Sequence, residues 1–220
     1  MKRSTDGDVS ETSVAQYHVA EVDGIPYSYE YTHDTTLPVG VDDAFDMWIN
    51  EVWVGVSLTC EVQCQLNLMC MMIQGGFPPS KVPFVLEKEG QGRGREGSIR
   101  RAYYGLLREE ILQVGSRQPS PSSGTKHDGK PRIRTVLYQA PTMPLPFHHY
   151  KGLVRFIPQG DDQTLIRWSG KLAPKRWDMT WFGGLFASLV FVLFRFAVGQ
   201  MVTGWTVHAT TLSNKAKKRH

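Results

Sequence analysis

The segment Met179-Thr-Trp-Phe-Gly-Gly-Leu-Phe-Ala-Ser-Leu-Val-Phe-Val-Leu-Phe-Arg-Phe-Ala-Val-Gly-Gln-Met-Val-Thr-Gly-Trp-Thr-Val207 predicts one long apolar helix. Its densest apolar run, residues 182–194, is shorter than the roughly 20 residues that a bilayer span requires. Arg195 follows directly, and a charge at mid-bilayer costs about 2.5–3.5 kcal/mol on insertion scales. We therefore expect a helix that lies on an apolar surface rather than a membrane span.

At 100° per residue this helix has two unlike faces. Gly184, Ser188, Arg195 and Gly199 fall on one narrow face. The bulky apolar side chains spread over the opposite side: Phe182, Leu185, Phe186, Leu189, Val192, Leu193 and Phe196. We expect a sheet, a ligand or a partner to cover the helix.

The composition is that of a globular protein, with 41% hydrophobic and 21% charged residues in a chain of 220. That length fits one domain with additions, or at most two small ones. The net charge of +4 is too small and too scattered to indicate nucleic-acid binding. Residues 1–16 lack the apolar residues of a folded segment or a signal peptide, so we expect them to be disordered and the protein to be cytoplasmic.

The chain before the helix is predicted to consist mainly of strands. Alternating apolar and polar residues and turn signals predict seven of them: Pro26–His33, Val82–Glu87, Gly97–Tyr104, Leu106–Leu112, Ile133–Gln139, His149–Ile157 and Thr164–Leu172. After the first strand, apolar residues at helical spacing predict a short helix that runs to about Trp53. Strands with short connections indicate an antiparallel meander, and the terminal helix must lie across it.

Three stretches need separate interpretation. Residues 54–73 hold all three cysteines, but their spacings do not match a metal site, and we expect no metal or cofactor. Residues 116–130 are typical of a loop rich in Pro, Ser and Gly. Gly92–Gly97 matches the dinucleotide pattern G-x-G-x-x-G, yet a strand rather than a helix follows, so we interpret it as a hairpin connection.

Four motifs resemble the SRPBCC superfamily, and in particular its polyketide cyclase/dehydrase-like group. They are Gly97–Arg101, Arg108–Leu112, His149–Pro158 and Thr164–Gly170, with Pro174 closing the series. The resemblance implies an α+β helix-grip fold. In that fold a curved antiparallel sheet of about seven strands wraps around a long C-terminal helix, and two short helices follow the first strand.

The resemblance also implies the organisation of the chain. A single domain would cover residues 17–213, with insertions at 54–73 and 116–130, and a basic tail would follow at 214–220. The family's cavity holds a hydrophobic small molecule, but its members share no catalytic set, so the fold does not supply the chemistry.

Candidate cavity residues come from the inward faces of the late strands and from the helix. They are Tyr138, Tyr150, Val154, Phe156, Ile166, Trp168, Phe186, Leu189, Leu193 and Arg195. Tyr138, Tyr150 and Trp168 would form a rigid wall with polar donors that orient a ligand. Plain core packing is the alternative, and Arg195 either reaches solvent, pairs with a glutamate or holds an acidic ligand group.

Weak candidates for an acid or base are Glu109, Glu110 and His149. The two glutamates are adjacent on a strand, so at most one faces the interior. We expect such a glutamate to pair with an arginine, for example Arg100 or Arg167, and the histidine to be satisfied or exposed.

Three functions remain open at this point. The first is binding or transport of a hydrophobic small molecule, lipid-like or polyketide-like, and the second is a cyclase/dehydrase-type enzyme that uses the same cavity. The third is membrane association through the C-terminal helix and the basic tail. The sequence does not indicate an oligomeric state.

Overall fold

The computed structural model describes residues 15–54, 85–102, 107–117, 132–144, 146–175 and 181–217. Most of the predicted disordered N-terminus, residues 1–14, lies outside this part of the chain. The same holds for residues 55–73 and 118–130 of the two predicted insertions and for residues 218–220 of the predicted tail. Residues 15–17 form a helical turn, and Ser116 and Arg117 belong to a strand.

The elements follow the predicted order, and the first long strand and the last four strands are longer than expected. The elements are β1 (Glu21–Val22), β2 (Ile25–Pro26), β3 (Tyr29–Leu37), α1 (Val41–Met47) with a π-helical continuation (Trp48–Trp53), β4 (Val85–Lys88), β5 (Ile99–Ala102), β6 (Leu107–Arg117), β7 (Ile133–Thr142), β8 (Phe147–Pro158), β9 (Thr164–Pro174) and α2 (Trp181–Lys217). Residues 214–217 therefore continue the helix.

Strands β3 to β9 form one antiparallel sheet in the order β3-β9-β8-β7-β6-β5-β4. The first long strand pairs with the last, so the chain returns to its starting edge before α2 begins. The Gly92–Gly97 loop is the turn between β4 and β5, with Gly92 and Gly97 at positive φ, as a hairpin connection requires. The predicted helix-grip architecture is confirmed.

The predicted pair of short helices is one helical segment in the described residues. In its π-helical part Val54 N–H donates to the carbonyl oxygen of Ile49, five residues back. Trp48 and Trp53, also five residues apart, both point into the core and stack with ring centroids 6.1 Å apart. The remainder of the region expected to hold these helices, residues 55–84, lies outside the described residues.

Helix α2 lies along the edge strand β3 with its small residues inward. The Tyr29 hydroxyl donates to the Gly184 carbonyl oxygen at 3.5 Å, and the His33 ring lies against Gly199. Deeper along the helix the contacts to the core are Ala187, Val198, Val202, Trp205 and Ala209, all buried. Small residues here allow the helix backbone to approach the strand.

The bulky face of α2 points outward, and within the described part of the chain the sheet does not cover it. Leu185, Leu189 and Phe196 are 65%, 59% and 63% exposed. A helical wheel separates two faces of a helix but does not show which face contacts the sheet. Here the close approach of the helix and strand backbones determines the face in contact. The helix Phe182–Asn214 is also long and apolar enough to cross a bilayer by length and composition, with a mean hydropathy of 2.0 over a window of 18 residues.

Candidate ligand site

Six predicted cavity residues meet on the inner face of the sheet. Tyr138, Tyr150, Val154, Phe156, Ile166 and Trp168 are all buried in one cluster. The alternation of β7, β8 and β9 explains this, because cross-strand partners such as Val154 and Trp168 project to the same side. Trp48 of the π-helical segment packs against Trp168 with ring centroids 5.6 Å apart.

The polar atoms of this cluster form a continuous chain. The Trp168 indole N–H donates to the Tyr138 hydroxyl at 2.7 Å. The Tyr138 and Tyr150 hydroxyl oxygens are 2.7 Å apart, and the Tyr150 and Tyr31 hydroxyl oxygens are also 2.7 Å apart. We call Tyr31, Tyr138, Tyr150 and Trp168 the hydroxyl cluster.

Two glycines make room for the rings of this cluster. Gly152 is the cross-strand partner of Tyr138, and Gly170 is the partner of Tyr31. A Cβ atom at either glycine would overlap the tyrosine ring that lies across it. The sequence Tyr-Lys-Gly in β8 and Ser-Gly in β9 therefore fixes where the phenol rings lie.

Burial keeps the three phenols protonated. It raises the pKa of Tyr31, Tyr138 and Tyr150 well above the usual value of 10.0, because a phenolate would lose its hydration. At any physiological pH each hydroxyl therefore carries a proton and can donate a hydrogen bond.

The cluster has one more phenol proton than its bonds use. Three hydroxyls supply three protons, whereas the two hydroxyl–hydroxyl bonds take two of them, whichever oxygen donates in each. The Trp168 N–H brings its own proton. Among the described residues no acceptor takes the third phenol proton, and a buried donor without an acceptor costs about 1–3 kcal/mol.

Phe194 of α2 covers the open end of the hydroxyl cluster. Its ring contacts Tyr31 and Tyr150 edge-on, with centroids 5.9 and 5.8 Å apart. It is only partly buried, so it lies between the hydroxyls and the outside.

A buried ion pair lies beside the cluster. Arg100 donates from Nε and Nη2 to Glu109 Oε2, both at 2.6 Å, and the two side chains are 5% and 7% exposed. The guanidinium also donates to the carbonyl oxygens of Val52 and Trp53 and stacks over the Trp53 ring at 4.2 Å. This pair joins β5 and β6 to the π-helical segment.

The three candidates for an acid or base are not assembled into a catalytic site. Glu109 reaches the inner face, but Arg100 holds it there, as the pairing interpretation expected. Glu110 is half-buried on the opposite face of β6. His149 lies under the β1–β2 hairpin, where its Nδ1 is hydrogen-bonded to the Tyr27 hydroxyl at 2.9 Å and burial lowers its pKa to about 4.

The predicted cavity residues of α2 do not join the cluster. Phe186 and Leu189 are 44% and 59% exposed, Leu193 is half-buried and Arg195 is exposed. The Arg195 carbonyl oxygen accepts from His33 Nε2 at 3.1 Å, whereas its side chain makes no ion pair with the described residues. This exposure agrees with the interpretation that the Arg195 side chain reaches solvent.

The sequence reasoning missed Tyr31, Trp48 and Trp53 as neighbours of the site. Tyr31 had a signal, because the alternating aromatics of the first strand place it on one face with Tyr29. Trp53 had no such signal in the sequence, because an α-helical wheel does not place it beside Trp48.

A separate cleft of about 540 Å³ opens between α1 and the C-terminal end of α2. Its walls include Asp43, Asp46, Glu51 and Asp162. Burial raises the pKa of Glu51, although the Trp205 indole N–H donates to it at 3.0 Å. This acidic, open cleft does not suit a hydrophobic ligand.

Metal ligands are not grouped in the described part of the chain, where no three His, Cys, Asp or Glu side chains come together. The three cysteines of residues 54–73 lie outside that part.

Comparison with known proteins adds similarity of fold. The protein TTHA0849 from Thermus thermophilus is 15% identical, with a TM-score of 0.43 over 84% of this chain and 99% of that one. Truncated norcoclaurine synthase from Thalictrum flavum is 17% identical, with a TM-score of 0.39 over 81% and 91%. For Ara h 8.0201 the identity is 10% and the TM-score 0.41, over 83% and 98%.

No protein-family model and no curated protein matches the chain. At these identities and TM-scores the helix-grip assignment rests on the strand order and the position of α2 described above.

Proposed function

We propose that this protein binds a hydrophobic small molecule that carries a hydrogen-bond acceptor, on the inner face of the sheet beneath α2. The observation that supports this is the surplus phenol proton of the hydroxyl cluster. A ligand carbonyl or ether oxygen would accept that proton and remove the cost of a buried, unsatisfied donor.

The walls around the hydroxyl cluster suit the remainder of such a ligand. Val154, Phe156 and Ile166 are apolar and fully buried. Removing a ligand's apolar surface from water contributes about 25 cal/mol per Å², and a few fixed polar groups orient it. Lipid-like and polyketide-like molecules both combine apolar surface with oxygen acceptors.

The ligand enters the site past the Phe194 side chain. Since the ring lies over Tyr31 and Tyr150 and is only partly buried, a change of its rotamer opens the cluster without moving the sheet. Phe194→Ala should therefore speed ligand association.

The test uses two ligands of nearly the same shape, the ketone benzophenone and the hydrocarbon diphenylmethane. Each would displace a fluorescent hydrophobic probe, 1-anilinonaphthalene-8-sulfonate, from the full-length protein. We expect the ketone to bind more tightly, because only it accepts the surplus proton. Tyr31→Phe, Tyr138→Phe and Tyr150→Phe combined, which we call the triple phenylalanine variant, remove the surplus proton and should weaken ketone binding by about 5- to 100-fold while leaving hydrocarbon binding unchanged.

Tyr27→Phe is the matched control, because it also removes a partly buried hydroxyl, but on the outer face. It should change neither affinity. Equal binding of ketone and hydrocarbon to the wild type, or equal effects of the triple phenylalanine variant and Tyr27→Phe, would contradict the proposal.

A further inference from the structure

The first half of α2 presents an exposed apolar face, which we call the apolar stripe. It consists of Phe182, Leu185, Phe186, Leu189, Val192 and Phe196, which are 44–75% exposed. At 100° per residue these side chains occupy an arc about 120° wide, along about 21 Å of helix. Contiguous apolar surface of this kind is typical of an interaction site.

The stripe has a definite end. Beyond Phe196 the same side of the helix carries mostly polar residues, namely Gln200, Thr203, Val207, Thr211 and Asn214. On the opposite side Val198, Val202 and Trp205 are buried against the rest of the protein. A span across a bilayer would pull this half of the helix off the core, so contact along a surface is the geometry that fits.

The charges around the stripe are almost all positive. Lys175 and Arg176 precede it, and Arg195 stands at its far end. Asp178 is the single acidic residue of the sequence from Lys175 to Lys217. The exposed Arg195 lies about 120° from the centre of the stripe, where a long side chain can reach from an apolar contact to a phosphate.

The positive charges around the apolar stripe favour a partner with negative charge. A second copy docked through the same helix would bring the same cations to the contact and no compensating acid. Anionic phospholipid headgroups supply the missing negative charge, and acyl chains supply the apolar partner.

We propose that α2 docks on an anionic membrane surface through the apolar stripe. The helix axis lies parallel to the membrane, the stripe enters the headgroup–acyl boundary, and Arg195 and the basic residues at either end contact phosphates. Val198, Val202 and Trp205 stay packed on the core throughout. This inference concerns the outer surface and does not depend on ligand binding inside.

Co-sedimentation of the full-length protein with vesicles tests it. We expect binding to phosphatidylcholine vesicles that contain about one third phosphatidylserine, weaker binding to phosphatidylcholine alone, and loss of binding at high salt. Leu185→Gln with Leu189→Gln should weaken binding at least about tenfold, because both side chains lose their apolar contact with lipid.

Thr211→Gln with Asn214→Gln is the matched control, since it adds the same side chains to exposed positions of the same helix beyond the stripe. It should bind like the wild type, and all proteins should keep the wild-type circular dichroism spectrum. Arg195→Gln should weaken binding only to the anionic vesicles.

Three results would overturn the docking proposal. The first is equal vesicle binding by the stripe and control variants. The second is resistance of the bound protein to extraction by high-pH carbonate, which indicates a bilayer span. The third is a wild-type dimer that does not bind vesicles and that the stripe variant dissociates. The triple phenylalanine variant should leave vesicle binding unchanged, so a failure of the interior site and a failure of the stripe are separate outcomes.

Discussion

Removing one partner of the buried Arg100–Glu109 pair should destabilise the protein more than any change on the exposed sheet surface. Glu109→Leu removes the carboxylate to which the buried Arg100 guanidinium, about 5% exposed, donates from Nε and Nη2, and leaves its bonds to two carbonyl oxygens. Breaking such a pair costs about 3–5 kcal/mol. Arg100→Met should cost at least as much, because it also removes the bonds to Val52 and Trp53.

The double variant Arg100→Met with Glu109→Leu should be less destabilised than the sum of the single ones, by several kcal/mol, because no charge is left buried without its partner. Urea unfolding of all four proteins gives this coupling energy. In thermal unfolding each single variant should melt about 6–20 °C below the wild type.

The neighbouring Arg101–Glu87 pair is the control, because the Arg101 side chain is 52% exposed. Arg101→Met should leave the unfolding free energy nearly unchanged. Additive effects of Arg100→Met and Glu109→Leu would show that the two residues do not act as a buried pair and would refute the reasoning.

Two further predictions concern the two faces of the sheet. Gly152→Ala should cost about 1–3 kcal/mol in urea unfolding, because its Cβ would displace the Tyr138 ring, and a loss below about 0.5 kcal/mol would contradict this. His149 has a folded pKa of about 4 against a usual 6.5, so it binds more protons when unfolded and its contribution to stability is lost as the pH falls from 6.5 to 4. His149→Gln should reduce the change in unfolding free energy between pH 6.5 and pH 4 by roughly 1–3 kcal/mol. Parallel plots of unfolding free energy against pH for wild type and variant would show that His149 is not responsible for the pH dependence.

The fold was predictable because its information is local. Alternation in the segments that became β7, β8 and β9 identified the inward residues, and the turn residues at Pro158–Asp162 identified the hairpin. Tyr138, Tyr150 and Trp168 came together because inward residues of paired strands are neighbours. None of that required knowledge of distant contacts.

The orientation of α2 was not predictable in the same way. Its wheel separates Gly184 and Gly199 from Leu185 and Leu189, but a helix can bury either its bulky face or its small one, and the choice depends on the strand it meets. Here Gly184 and Gly199 face Tyr29 and His33 of β3, and Phe191 packs against the Tyr29 ring. The position of Trp53 depended on a π-helical turn, which has no simple sequence signature.

Binding of a hydrophobic ligand with an oxygen acceptor at the hydroxyl cluster can be tested most directly by photolabelling. Benzophenone is itself a photolabel, so irradiation of its complex followed by mass spectrometry of peptides locates the bound ketone. Saturable labelling of residues 136–156 and of Phe194, lost in the triple phenylalanine variant and kept in Tyr27→Phe, is the predicted result. Labelling confined to the apolar stripe, or labelling that does not saturate, would contradict the account.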